Sequence, residues 1–83
     1  MQSFRYARAG SRRRRQPNRM EIERLRYMAD QIARNFAVQG EAEAVVATAE
    51  HIRLYWDPRM KAAILADDRT ALSPVVAAAV DRL

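Results

Sequence analysis

The stretch EAEAVVATAEHIRLYWDPRM, residues 41–60, decides the fold. Glu41 and Glu43 open it, where acids complement the positive end of a helix dipole. Apolar residues then recur on two sides of a 3.6-residue period. One face carries Ala42, Val45, Ala49, Ile52 and Trp56, and the opposite side carries Ala44, Ala47, His51, Leu54 and Tyr55. Asp57-Pro58 ends this helix and starts the next. Asp is a good N-cap, and Pro is best tolerated at the first helical position, where its missing N–H is not needed. The segment is therefore a helix, a corner and a second helix, with a large aromatic just before the cap. A helix apolar on two sides is covered twice. Either it sits centrally in a four-helix fold, or one side packs within the domain and the other against another subunit.

Working outward, Asn18-Arg19-Met20-Glu21 fits a capping box, in which the Asn18 oxygen accepts from the Glu21 backbone N–H and the Glu21 side chain reaches back. Ile22, Leu25, Met28, Ala29, Ile32 and Phe36 follow at spacings of three and four, which predicts a helix over about 19–38. Gly40 stands at its stop position. On the other side, residues 59–65 make a short helix and Asp67-Asp68-Arg69-Thr70 a polar loop. Ser73-Pro74 repeats the cap-then-proline device before a last helix with Val76, Ala79, Val80 and Leu83 as its apolar stripe. No segment alternates as a strand. The expected class is all-α, a small bundle of about four short helices over residues 18–83, a single helical domain, with an Arg-rich N-terminal arm over residues 1–17.

Composition narrows function. Apolar residues make up 49% of 83 positions, but sixteen of them are Ala, so the core is thin for a chain meant to stand alone. The chain has no Cys, one His and two Gly. That leaves no disulfide framework, thiolate metal site, multi-His zinc site or glycine-rich phosphate loop. Apolar runs such as 44–47 and 75–80 are far short of a membrane span. The net charge of +5 is uneven: residues 1–19 hold seven Arg and no acid, whereas 20–83 hold eight bases and ten acids.

In the arm, Arg12, Arg13, Arg14 and Arg15 form a like-charge block that stays extended when free. It reads as a disordered basic arm, or as one that orders in an acidic groove of a protein partner, with Phe4 and Tyr6 as anchors. Clustered Arg also suits phosphate contacts, and an Arg-rich, acid-free start resembles an organelle transit peptide in composition. Twin-arginine export is not expected, because no apolar stretch follows the arginines.

Among single residues, His51 sits one turn before Tyr55. A catalytic role would need a nucleophile or an orienting carboxylate in reach, which spacing alone does not supply, so it reads as a packed or interfacial His. Glu41 and Glu43 do not share a helix face and read as dipole complements rather than an acid–base pair. Met20, Met28 and Met60 read as core filler. Burying Trp56 makes it worth roughly 3–5 kcal/mol on truncation to Ala. Arg59 gains nothing from the local dipole at the start of a helix, so it is either solvated or reaching an outside carboxylate or carbonyl.

The run His51-Ile52-Arg53-Leu54-Tyr55-Trp56-Asp57-Pro58-Arg59-Met60 resembles the signature of the small delta subunit of soluble NAD-dependent formate dehydrogenases. Residues 25–33, LRYMADQIA, resemble that family's first helix, and residues 72–76, LSPVV, its last. Asp30 stands where the family pattern has Asn, and the arm extends beyond the usual family start. The resemblance implies a cytoplasmic bacterial complex that oxidises formate to carbon dioxide and passes the electrons to NAD. It implies a direct partner, a large alpha subunit with bis-molybdopterin guanine dinucleotide (molybdenum or tungsten) and iron–sulfur clusters. Beta and gamma subunits would hold FMN, further clusters and the NAD site. The delta chain itself would carry no cofactor, metal or catalytic residue, and would bind and stabilise the alpha subunit.

The expected function is thus a non-catalytic accessory subunit. Its candidate partner-binding residues are His51, Leu54, Tyr55, Trp56, Asp57, Arg59 and Met60, with Arg12 to Arg15 of the arm. Two alternatives stand beside it. One is a transient assembly or cofactor-insertion factor for the same complex. The other is a small nucleic-acid-binding helical protein, against which the would-be reading helix 41–56 carries three acids and only Arg53 as a base.

Overall fold

The computed structural model describes residues 18–83. The expected arm, with Arg12, Arg13, Arg14 and Arg15, lies outside the described residues. Among the latter, all regular structure is helical: α1 (Arg19–Phe36), a 3₁₀ turn (Ala37–Gln39), α2 (Glu41–Tyr55), α3 (Pro58–Leu65), a second 3₁₀ turn (Arg69–Ala71) and α4 (Pro74–Asp81). The molecule is the all-α, four-helix bundle expected from the sequence.

Each start has a chemical cause. Asn18 Oδ1 accepts from the Glu21 N–H at 2.7 Å, Asp57 Oδ1 from the Met60 N–H at 2.8 Å, and Ser73 Oγ from the Val76 N–H at 3.4 Å. Pro58 and Pro74 occupy the first turns of α3 and α4. The first helix ends slightly sooner than its apolar period predicts, because its last turn tightens into the 3₁₀ turn before Gly40. Gly40 has φ +102° and ψ 156°, a conformation that side-chain-bearing residues rarely adopt. That angle turns the chain into α2.

Helix α2 is central, packed on α1 along one side and on α4 along the other, while α3 lies mainly against α1. Leu25, Ala29 and Ala33 of α1 meet Ile52, Trp56, Ile64, Val76 and Val80 in the core, with Ile22, Met28, Ile32, Met60 and Ala63 around them. The buried arc of α2 is rotated from the sequence expectation. Ala42 is exposed and Val45 only partly covered, whereas Ala44, Thr48, Ala49, Ile52 and Trp56 are buried. Small residues at 44, 48 and 49 let two neighbouring helices approach the α2 backbone at once. Met20 is not core filler: it lies 68% exposed on the first turn of α1.

Candidate docking surface

The side of α2 left uncovered presents Ala47, His51, Leu54 and Tyr55, which follow one another at helical spacing. Leu54 is 63% and Tyr55 73% exposed. The half-buried His51 places its ring beside Tyr55, with centroids 4.8 Å apart and planes tilted by 46°. Among the described residues no hydrogen bond joins His51 to a carboxylate or hydroxyl, so no acid–base relay is assembled there. The polar flank is self-contained: Arg53 Nη2 donates to Glu50 Oε1 at 2.8 Å, and Lys61 Nζ donates to the Arg53 carbonyl at 3.1 Å. What remains is an amphipathic strip of aliphatic and aromatic surface, of the kind that forms the centre of protein interfaces.

The corner residues separate from this strip. Trp56 is buried in the core, and Met60 is partly buried against it. Asp57 is spent on capping α3. Arg59 donates to Glu21 of α1. The first turns of α1 and α3 face one another, so Arg59 finds a carboxylate within the chain while 71% of its side chain stays exposed, and among the described residues the Glu21 side chain of the expected capping box is engaged with Arg59.

Sequence reasoning missed two features. The first is an open groove of about 1000 Å³ between α1 and α3, beginning beside the Arg59–Glu21 pair. Glu21, Arg24, Leu25 and Met28 line one wall, and Asp57, Arg59, Met60, Ala62, Ala63 and Ala66 the other. The signal was present as matching i, i+3, i+4, i+7 sets on both helices, but it means nothing until the two helices are known to be neighbours.

The second is a polar clamp. Arg26 Nε and Nη2 donate to the two Asp67 carboxylate oxygens at 2.6 and 2.8 Å. Arg69 donates to the Asp67 and Leu65 carbonyls and to Asp81 Oδ1, so the α3–α4 loop is tied to α1 and to the end of α4. The Arg26 hydrogen bond holds the Asp67 carboxyl below the usual carboxylate range, against the opposing effect of burial. The same bond raises Arg26. The Asp68 carboxyl is lowered too, by hydrogen bonding from Thr70. The clamp is structural: it fixes the α3–α4 loop against α1, and Arg26 also borders a small cleft of about 290 Å³ between α1 and the start of α4.

Among the described residues no group of three His, Cys, Asp or Glu side chains could hold a metal ion, and no helix is long and apolar enough to cross a membrane. A family model described as the NADH-dependent formate dehydrogenase delta subunit, FdsD, matches residues 24–80. That span runs from the first third of α1 into α4 and contains the exposed strip and every lining residue of the groove except Glu21. No match was found among curated proteins or among solved structures.

Proposed function

From the premise that this chain belongs to the NADH-dependent formate dehydrogenase delta subunit family, we propose that it is a non-catalytic accessory subunit. Its role is to bind and stabilise the large alpha subunit. Formate oxidation and electron transfer to NAD then take place on other chains. In this reading the alpha subunit carries bis-molybdopterin guanine dinucleotide and iron–sulfur clusters, and the beta and gamma subunits carry FMN, further clusters and the NAD site. The complex is cytoplasmic.

The observation that carries the reading is the exposed strip on α2, where Leu54 and Tyr55 stand out in water beside His51. A domain with so little apolar volume gains by covering such a strip. Trp56, buried in the core, acts by shaping the strip, while Asp57, Arg59 and Met60 remain candidate contacts on the neighbouring corner.

The test is coexpression with a tagged alpha subunit. Leu54→Arg places a charge on exposed surface, so the free chain should melt as before while copurification drops sharply. Undiminished copurification of Leu54→Arg would remove the strip from the interface. A fixed ratio of this chain to alpha in the purified active enzyme separates a resident subunit from an assembly factor that departs.

A further inference from the structure

Resting on the accessory-subunit reading, we propose that the α1/α3 groove is a second docking site. It receives an amphipathic helix of the large partner, with apolar anchors at i, i+3 or i+4, and i+7 and a carboxylate on the edge nearest Arg24. The walls carry the geometry. Positions 21–28 of α1 and 59–66, which run along α3 to its C-cap Ala66, each span about 10 Å at 1.5 Å per residue, two turns of a guest helix. Ala62, Ala63 and Ala66 offer nothing beyond a methyl group, so a third backbone can approach to helix-packing distance. Leu25, Met28 and Met60 supply an apolar floor, and methionine adapts its shape to what fills the space above it.

Charge selects the occupant. At the Glu21 end the acid and Arg59 already neutralise one another, and the Asp57 carboxylate, which also lines the groove, accepts from the Met60 N–H that it caps. Arg24 lines the groove without an ion pair among the described residues, and one carboxylate from outside would complement it. Residues 1–17 of the same chain are ill matched, since they hold six Arg and no acid. A second copy is the remaining occupant, and a crosslink onto it is an overturning outcome of the experiment below.

The experiment uses the full chain coexpressed with the tagged large subunit. Ala62 is exposed, so Ala62→Arg should leave the melting of the free chain unchanged. It should lower the copurifying fraction roughly tenfold, the effect of losing about 1.4 kcal/mol of binding. A benzophenone amino acid at position 66 should crosslink to a helical peptide of the large subunit that contains an Asp or Glu. Arg24→Glu should weaken copurification most at low salt. The proposal is overturned if Ala62→Arg copurifies like the unaltered chain, or if the crosslink falls on residues 1–17, on a second copy or nowhere. An unaltered chain that does not copurify defeats the accessory-subunit reading, and the groove proposal with it. Loss confined to Ala62→Arg and Arg24→Glu, with Leu54→Arg still binding, keeps the groove and discards the strip.

Discussion

Replacing Arg26 by Met should cost the free chain about 2 kcal/mol. The figure comes from the geometry of the clamp. Two charge-assisted hydrogen bonds, at 2.6 and 2.8 Å, join a guanidinium with 32% of its side chain exposed to a carboxylate with only 9% exposed. Fully exposed pairs contribute about 0–1 kcal/mol, and breaking a fully buried one costs about 3–5. This pair lies between them, and the aliphatic Met preserves the packing of the stem. A loss of about 2 kcal/mol changes the folding equilibrium roughly thirtyfold. The pH dependence follows from the direction of the Asp67 shift. Its folded-state carboxyl is lowered, so the pair's contribution is fully present above the ordinary Asp value of about 3.9. The contribution fades as pH falls through the lower folded value. Urea titrations of the parent, Arg26→Met, Asp67→Asn and the double variant at pH 7 and pH 3 read all of this. The parent should lose more stability between the two pH values than Asp67→Asn does. A coupling near zero in the double-mutant cycle at pH 7, or equal pH dependence in all four proteins, would refute the account.

Three other substitutions address separate parts of the fold. Trp56→Ala should destabilise by about 3–5 kcal/mol, and circular dichroism should show the bundle melting near or below room temperature; an unchanged melt would remove Trp56 from the core. Gly40→Ala should cost about 1–3 kcal/mol although no atom lies within 4 Å of the added Cβ, because the cost is in the backbone angle alone; an unchanged denaturation midpoint would contradict the positive φ. Thr48→Val should raise stability by about 1 kcal/mol, since the buried Thr48 hydroxyl has no hydrogen-bond partner among the described residues; a loss in thermal melting would point to a bond that the hydroxyl makes.

The helix boundaries were legible in the sequence because their causes are local. Asn18, Asp57 and Ser73 each cap from three residues away, and Pro58 and Pro74 mark the first turns by what they lack. The exposed strip was legible too, since His51, Leu54 and Tyr55 share a face whatever packs on the opposite side. What the sequence concealed depends on distance along the chain. Arg26 and Asp67 are 41 positions apart, and Glu21 and Arg59 are 38 apart. No periodicity announces that the ends of α1 and α3 meet. The same holds for the buried arc of α2. Ala42 and Ala44 look equivalent until the positions of both neighbouring helices are known. The groove is the extreme case, since neither wall is a site without the other.

The two later helices, α3 and α4, are eight residues each. Isolated segments that short do not persist in water, whereas the eighteen and fifteen residues of α1 and α2 can form a hairpin with local contacts. The C-terminal half therefore borrows its order from the N-terminal half. One wall of the groove exists only while that loan is in force. A chain that has folded its hairpin and nothing more would offer a partner half a binding face, so recognition at the groove doubles as an inspection of whether folding is complete.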